Sequence, residues 1–257
     1  MIAGGGFSFD WALIQPKIAE LTHLCTYDSS GTAWSDAFSD RALTPNCSER
    51  VEEFHKLLTN APVDGSYVLV GYSIGGLYAR LYASRYPKDV AGMVIVDHAF
   101  IEPRGADENG RAGPVAMQHL DTPPVLISET PIVLGIEDDR NFQKLPLSDQ
   151  RLHEWAMSAH PIRTTGEIAA ECFEEVAAAT GKSAEPLGNI PLMVIRTKND
   201  SPKYGELQRT LLSLSRDSRQ SVAENSTHMI LVDQPEVVIR AIEQVVSAVR
   251  AHSALSK

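Results

Sequence analysis

Tyr67-Val-Leu-Val-Gly71-Tyr72-Ser73-Ile74-Gly75-Gly76-Leu77-Tyr78-Ala79-Arg80 is the stretch from which the fold can be read. An apolar, strand-like run leads into Gly-x-Ser-x-Gly, and Ile74, Leu77, Tyr78, Leu81 and Tyr82 then fall on one stripe at helical spacing. The pattern is strand, sharp turn, helix. Glycine at 71 and 75 removes side chains that would collide when the backbone turns from strand to helix within one residue. Such a turn exposes the Ser73 hydroxyl. The helix beginning beneath it aims free N–H groups and a positive dipole end at any negative charge on a reacting oxygen.

Outward from this unit, short apolar runs alternate with longer amphipathic stretches, as in an α/β protein with a mostly parallel sheet covered by helices on both faces. The predicted strands are Thr22–Tyr27, Tyr67–Val70, Gly92–Val96, Pro191–Arg196 and Gln220–Glu224. Predicted helices are Trp11–Glu20, Glu49–Thr59, Ile74–Tyr86, Tyr204–Ser215 and Pro235–Arg250. In the last of these, Val238, Ile242, Val245 and Val249 share a face, with Asp233 as N-cap and Pro235 in the first turn. Between Asp97 and Pro191 the alternation fails: Pro-rich sequence leads into a helical stretch from Leu147 to Thr180. Residues 98–190 therefore read as a helical cap inserted above the strand ends, with 1–97 and 191–257 forming the core.

The composition agrees. A chain of 257 residues with 43% hydrophobic and 22% charged side chains suits one globular core with an insertion. Its 33 acidic against 23 basic residues, a formal charge of -10 without Lys/Arg clusters, argue against a nucleic-acid partner. Apolar runs fall far short of the roughly 20 residues of a membrane span. Cys25, Cys47 and Cys172, odd in number and widely spaced, read as free structural thiols rather than a disulfide framework or metal knuckle. The first residues lack the basic and apolar regions of a secretory signal, which points to a cytoplasmic location.

A serine hydroxyl needs a general base, and the base needs a group to orient it. Of eight histidines, His228 lies just after a late strand, on a loop leading to the last helix. That places it at the sheet edge toward which Ser73 points. Two carboxylates sit directly after strands: Asp200 after Pro191–Arg196, and Asp97 after Gly92–Val96. Asp200 is preferred as the acid, because its strand immediately precedes the histidine strand.

These motifs together resemble the α/β-hydrolase superfamily, in its serine esterase and lipase branch. Gly4-Gly-Gly-Phe-Ser-Phe-Asp-Trp11 resembles the family's His-Gly loop with its following tryptophan. Tyr27-Asp28-Ser-Ser-Gly31-Thr-Ala-Trp34-Ser35 resembles its tyrosine-aspartate-arginine loop, and His228-Met-Ile-Leu-Val-Asp233-Gln-Pro-Glu236 is similar to its histidine loop and last helix start. The resemblance implies Ser73 as nucleophile, His228 as base, Asp200 as acid, and the N–H groups of Gly5 and Ile74 as oxyanion hole, without cofactor or metal. Ser73 stands where the haloalkane dehalogenase and epoxide hydrolase branches carry aspartate. Departures are Ala3 in place of the usual histidine, which brings in Gly4 or Gly6 as substitutes for Gly5, and Ser29 and Ala33 in place of Arg and Gly. The family also builds three strands before the glycine loop, of which only Met1-Ile2-Ala3 could remain. The expectation is an N-terminally shortened hydrolase domain, in which Thr22–Tyr27 and Tyr67–Val70 lose a shared neighbour and any leader could be missing.

The expected activity is hydrolysis of a small or medium carboxylic ester through an acyl-serine intermediate. Peptidase, thioesterase, lactonase and carbon–carbon bond hydrolase activities share the same residues, and an inactive hydrolase-like fragment is the reading from another class. His153-Glu154 and His160 lack the spacing of a helical zinc motif, and a solvated cap helix is expected there.

Overall fold

Hydrophobic alternation along the central strands determines which helices cover which face. The computed structural model describes residues 2–3, 7–36, 45–61, 63, 65–99, 142–159, 165–180, 185–198 and 201–255. Five parallel strands lie side by side in chain order: β1 (Ile2–Ala3), β2 (Tyr67–Tyr72), β3 (Val90–Val96), β4 (Leu192–Thr197) and β5 (Ser218–Ala223). Val70, Tyr72, Val94, Val96, Met193 and Ile195 point to one face. There they pack with Ile14 and Ile18, around α1 (Gln15–Ala19), and with α7 (Ile230–Asp233) and α8 (Pro235–Ala251). Leu69, Met93, Ile95, Leu192 and Val194 point to the other face. They meet α2 (Cys47–Asn60), α3 (Gly75–Arg85), α5 (Thr165–Thr180) and α6 (Pro202–Thr210). A sheet buried on both faces explains why β2, β3 and β4 read as continuous apolar runs rather than alternating ones.

Four predicted strands and the last helix are found within a few residues of their expected bounds. Thr22–Tyr27 is not a strand. The two-residue β1 pairs with β2, Ile2 opposite Gly71 and Ala3 opposite Tyr72, and residues 22–27 join no ladder. Side-chain packing holds the segment instead, with the Tyr27 ring stacked on Phe54 at a centroid distance of 5.1 Å. Asp233 is not the N-cap of α8, a position held by Gln234. Its carboxylate turns back to accept from Thr227, at 2.9 Å from N and 2.8 Å from Oγ1.

The thiol reading is also corrected. Cys47 and Cys172 form a disulfide, with Cα atoms 5.1 Å apart. The start of α2 and the middle of α5 run side by side, a proximity that a separation of 125 residues hides in the sequence. Cys172 and Val176 are buried with the α2 and α3 side chains, so α5 is part of the helical layer on the sheet. From the expected cap, α4 (Leu147–Ala159) is the described helix that packs against the turn after β1. Among the described residues, no helix is long and apolar enough to cross a membrane.

Candidate active site

β2 and β3 end at the same level, Tyr72 opposite Val96, and each is followed by a residue forced into the left-handed region. Ser73 has φ 53° and Asp97 has φ 44°. For a residue with a Cβ that conformation costs about 1–3 kcal/mol and persists only where its surroundings dictate it. At Ser73 they do: its N–H donates to the Val96 carbonyl at 2.9 Å, and its own carbonyl accepts from Gly76 N at 3.0 Å. The turn is so tight that a Cβ on Gly71 would lie 2.4 Å from the Gly75 carbonyl oxygen. Ile74 follows as the N-cap residue of α3.

Asp97 is fully buried and reaches across to the loop after β5. Its Oδ2 lies 2.6 Å from His228 Nδ1, and its Oδ1 accepts from Gln208 Nε2 at 3.2 Å. Gln208, buried on α6, also donates to the His98 carbonyl at 3.0 Å, which the Tyr204 hydroxyl joins as a second donor. The His228 ring stacks on Tyr72 with centroids 5.0 Å apart, and the Tyr72 hydroxyl donates to the His228 carbonyl at 3.1 Å. Burial lowers the His228 pKa to about 4, favouring the neutral imidazole that a general base requires.

The structure therefore brings His228 to Asp97, the carboxylate weighed second in the sequence. Asp200 and Gly5 lie outside the described residues, as do Gly4, Gly6 and His160. A signal for Asp97 was present: it directly follows Val96, whereas Asp200 stands three residues beyond Thr197, the end of β4. Gln208, Tyr204 and Arg80 carried no such signal. Arg80 donates to His98 Nε2 at 3.1 Å, and burial pulls its pKa down to about 10. Gly76 is needed here too, because a Cβ would come within 2.8 Å of the His98 ring. The expected solvated cap helix is corrected at His153, which is buried and 2.5 Å from Asp10 Oδ1. Among the described residues, no group of three or more His, Cys, Asp or Glu side chains is placed to hold a metal ion.

Comparison with known proteins adds the family. A Schizosaccharomyces pombe protein is 32% identical over 89 residues, 35% of this chain, and the chain spans only 16% of that relative's length. YqjL of Bacillus subtilis is 26% identical over 250 residues, covering 95% of this chain and 81% of YqjL. Among solved structures, an ancestral haloalkane dehalogenase superposes with TM-score 0.69 at 15% identity, covering 97% of this chain and 90% of that one. A methylesterase of Arabidopsis gives TM-score 0.59 at 17% identity, covering 96% and 97%. Likeness at such identities concerns the fold. The model of the alpha/beta hydrolase family, however, matches residues 1–241, and this span holds the five described strands, the Gly-x-Ser-x-Gly turn and the histidine loop. The chain belongs to the alpha/beta hydrolase family.

Proposed function

We propose that the chain is a serine hydrolase that cleaves small or medium carboxylic esters through an acyl-Ser73 intermediate. The observation that carries this reading is the placement of a left-handed Ser73 and a left-handed Asp97 on adjacent strand ends, with Asp97 hydrogen-bonded to His228. In this reading His228 Nε2 takes the Ser73 proton as Oγ attacks the ester carbonyl. The imidazolium then gives that proton to the leaving alcohol, and the neutral ring activates water to release the acid. Asp97 fixes the tautomer through Nδ1 and stabilises the imidazolium, a role for which the sequence had favoured Asp200. Backbone N–H groups of Ile74 and Gly5 hold the oxyanion, each contributing about 3 kcal/mol. Residues from the 98–190 region shape the pocket for the acyl or alcohol group. A nucleophilic serine supports ester chemistry over the dehalogenase chemistry named in one structural neighbour, and the methylesterase neighbour is consistent with that choice.

The test is a pair of measurements on wild type and Ser73→Ala: labelling by a fluorophosphonate probe and turnover of a short-chain aryl ester. Wild type should do both. The variant should lose labelling, and its kcat should fall by about 10⁶. Labelling that survives in Ser73→Ala overturns the assignment.

A further inference from the structure

The segment 142–159 meets the core at two carboxylates that are used in the same way. Asp233 Oδ1 is 2.5 Å from Lys144 Nζ, while Oδ2 accepts from the Thr227 N–H at 2.9 Å. Asp10 Oδ1 is 2.5 Å from His153 Nε2, while Oδ2 accepts from the Phe7 N–H at 2.6 Å. In each case one oxygen is held by the segment and the other by a backbone N–H of a core loop. These are not arbitrary loops. Thr227 immediately precedes His228, and Phe7 immediately follows the Gly4-Gly5-Gly6 run.

Both carboxylates are buried, so each contact is held from at least one enclosed end. The side chains of Asp10, His153 and Asp233 are 8%, 7% and 2% exposed, and only Lys144 reaches out to solvent. Burial opposes ionisation of Asp233, yet the donors from Lys144 and Thr227 hold its carboxyl below the ordinary value. The two grips also belong to one mechanical unit. Gln150 of α4 donates to the Leu145 carbonyl at 2.8 Å, and Leu145 is buried among the α7 and α8 side chains. Phe7 and Phe9 pack edge-on against the His153 ring, with centroids 5.1 and 5.2 Å away. Any shift of α4 relative to residues 142–145 would therefore disturb both loops.

We infer that residues 142–159 form a two-point clamp that sets the histidine loop and the chain after the glycine run in register with each other, making Lys144, His153, Asp10 and Asp233 positioning residues. Its kinetic consequence rests on the serine hydrolase reading. Its structural consequence does not, and the experiment separates the two.

Lys144→Gln and His153→Gln are made in the full chain, with Lys144→Arg as the conservative control. Hydrogen exchange is followed in peptides covering residues 7–11 and 226–229, with β3 as the reference for global opening. Each glutamine variant should accelerate exchange about threefold or more in both peptides while β3 is unchanged, and Lys144→Arg should resemble wild type. Acceleration confined to the mutated side, equal acceleration in β3, or no change overturns the clamp. With the aryl ester, each glutamine variant should lower kcat about tenfold with KM within twofold, because misplaced catalytic groups slow chemistry more than binding. A raised KM at constant kcat overturns the positioning role. If wild type fails the Ser73 test, the exchange data still decide the clamp.

Discussion

Two of the aspartate–histidine pairs among the described residues are short hydrogen bonds, and their surroundings differ. Asp97 comes from the end of β3, beside the strained turn at Ser73, and His228 from the loop after β5, its side chain 19% exposed. Asp10 and His153 join a turn after β1 to α4, with both side chains almost fully buried and the His153 ring packed edge-on against Phe7 and Phe9. The hydrogen bonds are of similar length, 2.6 and 2.5 Å. What differs is the use of the second carboxylate oxygen. Asp97 offers it to a side chain, accepting from Gln208. Asp10 gives it to the Phe7 N–H and so shapes main chain. A short aspartate–histidine contact alone does not mark a catalytic pair; its neighbours decide.

The sharpest way to break this comparison is to neutralise each carboxylate. Asp97→Asn should lower kcat on the aryl ester by about 10⁴, as expected when the orienter of a catalytic base is lost. Asp10→Asn should cost about tenfold, and Asp200→Ala should change kcat less than twofold if Asp97 is the acid. Comparable losses for Asp97→Asn and Asp10→Asn would erase the distinction, and a larger loss for Asp200→Ala would return the acid to the later strand.

A second test uses pH. With His228 at about 4 rather than an ordinary 6.5, the base is already neutral at pH 5.5, so kcat/KM there should be about tenfold higher relative to its plateau than an unperturbed histidine allows. Stability should move in the same sense. Between pH 6.5 and 4 the unfolded chain binds this proton and the folded chain resists it, so stability falls as pH drops through that window. An acid limb centred near 6.5 would count against the buried setting of His228. Among the groups that hold the Asp97–His228 pair, the smallest expected effect is at Gln208. Gln208→Leu removes one donor from Asp97 and should reduce kcat about threefold while leaving Ser73 labelling intact. A loss as large as that of Asp97→Asn would make Gln208 a principal support of the pair.

Much of the fold was legible because local pattern and burial coincide. The switch from strand to helical period at Ser73 is written in consecutive residues, and the face of α8 follows from Val238, Ile242 and Val245, all buried. Ser73 and His228 could be singled out as candidates by their place, Ser73 directly after β2 and His228 on the loop after β5. The candidate acid was less legible. Two aspartates met the sequence criterion, and choosing between them required knowing that β3 and β5 carry Asp97 and His228 within reach of each other. Contacts built across the fold left no trace in local sequence: Asp10 with His153, Lys144 with Asp233, Cys47 with Cys172. Thr22–Tyr27 shows the opposite failure, because its strand-like composition serves packing of Leu24 and Tyr27 on the core without a ladder to join.

The disulfide gives the chain a topology that its linear order conceals. Cys47 precedes Ser73 and Cys172 follows Asp97, so the bridge closes a covalent ring that holds the serine and its neighbouring carboxylate, with His228 on the tail outside it. A single backbone cut anywhere from residue 48 to 171 opens this ring without dividing the molecule. A protease-nicked chain would differ from an intact one by the mass of one added water, and would separate into two fragments only when a reductant opened the bridge.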